Sequence, residues 1–119
     1  MNSELRERAA SAGLPLMDFI LKRIRELELQ TGVKRTIFAA CPNSLSVIRA
    51  ALKSSKRMDA PIKFAATLNQ VDIDGGYTGL THSEFVRTIR LHARNLNVKS
   101  PVIIAIDHGI KGSGSDWKI

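Results

Sequence analysis

Asp107 and His108 stand side by side where an apolar run, Val102 to Ile106, gives way to a glycine-rich tail. A carboxylate near a reacting group suits proton transfer, and imidazole is a preferred ligand of Zn²⁺. If the run is a strand, the two side chains diverge as its pleat ends, so one can ligate a metal while the other handles a proton. An ordinary strand-end turn uses the same dipeptide, and a catalytic zinc site normally needs three protein ligands. The other histidines, His82 and His92, fall in a stretch of helical periodicity. The chain therefore shows no evident complete zinc set.

A second candidate lies upstream, in Gly75-Gly76-Tyr77-Thr78-Gly79. Glycines let backbone N–H groups approach an anion such as a phosphate. The run matches neither the dinucleotide pattern GxGxxG nor the phosphate-loop pattern GxxxxGK[ST]. The competing reading is a tight turn with glycines at positive φ. Asn69 and Gln70 are uncharged hydrogen-bonding side chains, suited to sugar hydroxyls or to satisfying their own loop. Cys41 has no basic neighbour in sequence to activate its thiol and reads as packing.

These residues need strands and helices to place them. Ile62 to Glu84 organises the chain: a short apolar run, a polar loop, the glycine cluster, and then Thr81-His82-Ser83-Glu84 opening a helix. That is the βα half of a βαβ unit, and ligands in such folds sit beyond the carboxyl ends of strands. The segments on either side repeat the grammar. Residues 1–13 read as a polar, basic arm. From Pro15 to Gln30 an apolar face recurs at Leu16, Ile20, Ile24 and Leu27, and Gly32 lies just beyond.

Residues 36–40 form the first strand candidate. Asn43 or Ser44 can cap a following helix that runs to about Ser54 and buries Val47, Ile48, Ala51 and Leu52. The second strand spans 62–67, and the next helix turns Phe85, Ile89 and His92 or Leu96 inward. The third strand, 102–106, is apolar along its length, which predicts burial on both faces of a parallel sheet. Two segments are expected: 1–33, an arm and an amphipathic helix, and 34–119, a run of about three βα units. Periodicity alone leaves open a small doubly wound sheet or the start of a (β/α)8 barrel. A whole barrel takes about 250 residues, more than twice this chain's 119.

Composition excludes several classes. Hydrophobic residues at 44% and charged residues at 24% are ordinary for a globular domain. No run approaches the roughly 20 apolar residues of a membrane span, and the N-terminus lacks a secretory signal pattern. A single cysteine cannot close an internal disulfide, which fits the cytoplasm. The net charge of +7 is spread over predicted helix faces without an RNA- or DNA-binding motif, so no nucleic acid and no membrane partner is expected.

Taken together, AATLNQVDIDGGYTGLTHSEF and VIIAIDHG resemble the non-catalytic, Z-type subunit of class II D-tagatose-1,6-bisphosphate aldolase. The shared features are Ala66-Thr67, Asn69-Gln70-Val71, Gly75-Gly76-Tyr77-Thr78-Gly79-Leu80-Thr81, Glu84-Phe85 and Asp107-His108. The resemblance spans about residues 36–109. It implies the N-terminal part of a TIM barrel from galactitol, tagatose or amino-sugar catabolism, supporting a catalytic aldolase subunit that holds the zinc. It further implies Asp107 as the proton-transfer carboxylate and His108 as the ligand of Zn²⁺ or another divalent metal. A sugar phosphate would then meet Asn69, Gln70, Gly75, Gly76, Tyr77 and Thr78.

The family continues after Asp-His with Leu-Gly-Pro and further βα units, whereas here Gly109-Ile110-Lys111 leads to Ile119. The expectation is a truncated accessory subunit, not catalytic alone. One alternative is a metal-dependent sugar-phosphate aldolase or 4-epimerase that needs the missing barrel half. Another, from a different class, is a small basic nucleic-acid-binding module.

Overall fold

The computed structural model describes residues 3–107. In chain order these form α1 (Ser3–Ser11), α2 (Leu16–Thr31), β1 (Phe38–Ala40), α3 (Leu45–Met58), β2 (Ile62–Ala66), α4 (His82–Asn95) and β3 (Val102–Ile106). The strands make one parallel sheet in the order β1-β2-β3. Parallel neighbours cannot be joined by a tight hairpin, so α3 and α4 serve as the crossovers.

Register decides which side chains share a face. Phe38 lies opposite Ile62 and Ala40 opposite Phe64, while Ile62 pairs with Val102 and Ala66 with Ile106. Side chains alternate along a strand, so Ala40, Ile62, Phe64, Ala66, Val102, Ile104 and Ile106 point to one side. Both crossover helices pack there, bringing Ile48, Ala51 and Leu52 from α3 and Phe85, Ile89 and Ala93 from α4 into a single core. Phe64, Phe85, Leu52 and Ile89 are wholly buried, and each such side chain contributes about 1.5–3 kcal/mol. The opposite face carries Ala39, Lys63, Ala65, Ile103 and Ala105.

The helix ends follow local chemistry. Ser44 caps α3 by accepting a hydrogen bond from the Val47 N–H at 3.4 Å, the role expected of it. Gly32, at φ +69°, ends α2 by donating its N–H to the Glu28 carbonyl. Thr81 and Glu84 form a reciprocal capping box at the start of α4.

Several details differ from expectation, among them the first strand, which starts at Phe38 and not at residue 36, and Val47, which α3 leaves exposed and not buried. Residues 3–11 are helical, not an extended arm: Ala9 is buried, and the Arg8 guanidinium lies 5.7 Å from the centre of the Phe19 ring, a cation–π contact onto α2. Of the stripe predicted for α2, only Ile20 is fully buried, joined by Phe19. α3 runs on to Met58, because Ser55 is drawn inward: its hydroxyl donates to the Ala60 carbonyl at 2.6 Å and pairs with the Ser100 hydroxyl at 2.7 Å. Lastly, β3 is only half-buried beyond Val102. Among the described residues it has a strand neighbour on one edge alone, and the open edge lets solvent in beside its apolar run.

Candidate functional site

The carboxyl ends of the three strands and the loop after β2 make up the candidate site. Residues 67–81 do not lie open. The Tyr77 N–H donates to the Asn69 carbonyl at 2.9 Å and the Thr78 N–H to the Gln70 carbonyl at 3.2 Å, folding the glycine cluster back onto the start of the loop. The Thr78 hydroxyl donates to the same Gln70 carbonyl at 2.6 Å. Val71 and Leu80 close the ring with an isolated parallel bridge.

Gly75, Gly76 and Gly79 all have positive φ, as the turn reading requires. Gly76 has a second reason to be glycine. At φ +52°, an added Cβ would stand 2.6 Å from the Gln70 carbonyl oxygen and 2.8 Å from that of Asn69.

The five amides of the cluster are already engaged. Gly75 donates to the Asp72 carbonyl and Gly79 to that of Gly76; Gly76 donates to an Asp74 carboxylate oxygen at 3.1 Å; Tyr77 and Thr78 are accounted for above. An anion-binding nest needs amides pointing outward, and these point into their own loop. The turn reading describes the cluster.

Gln70 is buried, and its amide is fully committed. Its Nε2 donates to the Cys41 carbonyl at 3.2 Å and to the Pro42 carbonyl at 3.1 Å. Its Oε1 accepts the Thr67 N–H at 2.9 Å, with the Thr67 hydroxyl at 3.4 Å. The side chain thus staples the end of β1 to the end of β2. Sequence reasoning missed this role, since its acceptors lie 28 and 29 residues away. Asn69 is exposed, and its side-chain amide makes no hydrogen bond among the described residues. Tyr77 is 61% exposed. Of the polar side chains predicted for substrate, these two face outward while Gln70 and Thr78 hold the loop.

Asp107 follows β3 directly, and its N–H donates to the Ala66 carbonyl at 2.7 Å. This extends the β2–β3 ladder and sets Asp107 beside Thr67. His108 lies outside the described residues. Among the described residues, no three histidine, cysteine or carboxylate side chains come together as a metal site. Among the described residues the strand ends offer Asp107 and the exposed thiol of Cys41 as donors, fewer than the three protein ligands a catalytic zinc normally takes. At the α4 entrance the Glu84 carboxylate accepts the Thr81 N–H at 2.8 Å. That bond, the Thr81 hydroxyl and nearby Arg87 hold its pKa below the ordinary 4.5.

The sequence profile of the D-tagatose-1,6-bisphosphate aldolase subunit GatZ/KbaZ-like family matches residues 21–110. The chain belongs to this family. A solved structure described as a probable tagatose 6-phosphate kinase from Sinorhizobium meliloti 1021 is similar to this GatZ/KbaZ-like chain, with a TM-score of 0.54 and 36% identity. The likeness covers 62% of this chain and 19% of that one, so the GatZ/KbaZ-like chain spans less than a fifth of that relative. Among the described residues no helix is long and apolar enough to cross a membrane.

Proposed function

We propose that this GatZ/KbaZ-like chain is an accessory, non-catalytic subunit of a class II tagatose-1,6-bisphosphate aldolase, acting in cytoplasmic carbohydrate catabolism by supporting the catalytic subunit. On this reading residues 34–119 correspond to the first βα units of a TIM barrel, and residues 1–33 form a separate helical lead-in. The sequential order β1-β2-β3 with both crossover helices on one face supports the barrel reading. A doubly wound sheet reverses its strand order and places helices on both faces.

The observation that carries the non-catalytic role is the loop after β2. Its glycine amides and the Gln70 side chain are consumed in holding the loop's own shape, while the side chains of Asn69 and Tyr77 are exposed. Asn69 and Tyr77 would contact a sugar phosphate, with Asp107 as the carboxylate nearest it and His108 completing the strand-end pair.

The test mixes the purified chain with a class II tagatose-bisphosphate aldolase catalytic subunit. Retro-aldol turnover and activity half-life at raised temperature are followed as the chain is titrated. The expected result is a saturable rise in half-life or turnover, with no turnover by the chain alone. Turnover by the chain alone that disappears in Asp107→Asn would overturn the non-catalytic reading. No effect of the chain on the catalytic subunit would overturn the accessory one.

A further inference from the structure

Asp74-Gly75 is the one place in this sequence where an aspartate or asparagine precedes a glycine. At such a bond no side chain stands on the second residue to block its amide nitrogen from attacking the neighbouring carboxyl carbon. Asp74 is exposed, so water reaches it. Asp72 has the branched Ile73 after it, and Asn69 and Asn43 are followed by Gln70 and Ser44. In the folded loop both reacting groups at Asp74-Gly75 are committed elsewhere. The Gly75 N–H donates to the Asp72 carbonyl at 3.0 Å. The Asp74 carboxylate is turned past it to the next amide, accepting the Gly76 N–H at 3.1 Å.

We propose that Asp74-Gly75 is a site of spontaneous modification to isoaspartate, guarded by the ring of residues 67–81 and exposed when that ring opens. In the first step the Gly75 nitrogen bonds to the Asp74 carboxyl carbon. That carbon releases one oxygen, which leaves as water with the amide hydrogen and a solvent proton, and a five-membered imide remains. Water then adds to the imide and breaks one of its two C–N bonds. Breaking the original main-chain bond leaves Gly75 attached through the Asp74 side chain. One water has left and one has returned, so the mass is unchanged, but the main chain is longer by one carbon.

The ring has no room for that carbon. A Cβ built on Gly75 would stand 3.2 Å from the Gly79 carbonyl carbon, and one on Gly76 2.6 Å from the Gln70 oxygen, so the main chain on either side of the bond is held close to its neighbours. The change therefore acts one way: a loop that isomerises while open does not close again. What keeps it closed is the Tyr77 and Thr78 amides on Asn69 and Gln70, and the Gln70 side chain on Cys41 and Pro42. The rate of a reaction confined to an opened state follows the population of that state. Gln70 and Gly76 thus set the rate without touching the reacting atoms. This inference stands apart from the aldolase reading, since it depends only on the loop's own bonds.

The test incubates the whole chain in neutral buffer made with H₂¹⁸O, beside a synthetic peptide of residues 64–87, the segment trypsin releases between Lys63 and Arg87. Imide hydrolysis leaves one heavy oxygen at the residue that reacted, which fragmentation mass spectrometry locates. The peptide is expected to take up label at Asp74, and the whole chain to do so about tenfold or more slowly. Gln70→Ala and Gly76→Ala should each recover much of that factor, with circular dichroism checking that helix content is kept. Ser55→Ala weakens the fold away from the ring and should speed labelling less than either. Equal rates in chain and peptide, or label at Asp72 or Asn43 in place of Asp74, would overturn the proposal. Acceleration by Ser55→Ala as large as by Gln70→Ala would overturn the local guard, because global unfolding alone would then expose the bond.

Discussion

Replacing Gly76 with alanine separates two reasons for a glycine. A left-handed conformation costs a non-glycine residue about 1–2 kcal/mol. At Gly79, φ +77° with nothing within 4 Å of a built Cβ, that is the whole penalty. At Gly76 the new methyl also stands 2.6 Å from the Gln70 oxygen and 2.7 Å from its carbonyl carbon. Backbone atoms cannot rotate aside as a flexible side chain can, so the loop must move. Overpacking of this kind costs roughly a further 1–3 kcal/mol. The expectation is about 1–2 kcal/mol for Gly79→Ala and about 2–5 kcal/mol for Gly76→Ala. In a chain of this size 1 kcal/mol moves the midpoint by about 3–6 °C, so the further 1–3 kcal/mol separates the two variants by about 3–18 °C. Thermal unfolding followed by circular dichroism reads this directly. If both variants lose the same amount, the close approach of Gly76 to residues 69 and 70 is not a constraint on the fold, and the account of the folded-back loop is wrong.

The staple gives a second contrast. Gln70→Ala abandons the Cys41 and Pro42 carbonyls and the Thr67 N–H, and should lower stability by about 2–4 kcal/mol in denaturant titration. In Gln70→Glu, a carboxylate would face two carbonyl oxygens and its folded pKa would rise. That raised pKa means the variant is least impaired below the ordinary carboxylate range and loses stability as pH rises through the folded value; a flat profile would count against the geometry. Glu84 behaves in the opposite sense. Its folded pKa is lowered, so its stabilising contribution is present above about 4.5 and is lost as pH falls through the folded value; Glu84→Ala should remove that acid-side slope and leave the rest of the pH profile unchanged. For the buried hydroxyl pair, Ser55→Ala strands both the Ala60 carbonyl and Ser100 and should cost about 1–3 kcal/mol. The Ser55→Ala/Ser100→Ala double variant should lose less than the sum of the single losses; strict additivity would mean the two hydroxyls do not interact.

Much of this was legible in the sequence where the signal is local. The run at 62–66, apolar but for Lys63, and the largely β-branched run at 102–106 are bounded by turn residues, and both are strands. Ser44, one of two cap candidates, and Thr81, at the opening of a stretch read as helical, announced their helices by type, while the reciprocal bond from Glu84 emerges only in the structure. The glycine cluster was read either as an anion nest or as a turn of positive-φ residues, and only its hydrogen bonds decide between them. What escaped depended on distant partners. Residues 3–11 look polar because the side chain that anchors them, Ala9, is small and gives little hydropathy signal. The half-exposure of β3 follows from its place at a sheet edge, which no single strand encodes. The duty of Gln70 is set by two carbonyls on another strand end.

The Gln70 staple also has a consequence for the order in which the chain assembles. The loop after β2 is shaped by local turns, but its anchor reaches back to Cys41 and Pro42, which arrive only when β1 has docked beside β2. Closing that long span precedes the bond that rewards it. The ring of residues 67–81 should therefore be among the last parts to become rigid during folding. Once formed, its Tyr77 and Thr78 amides, bonded to residues 69 and 70, would exchange with solvent only when β1 parts from β2.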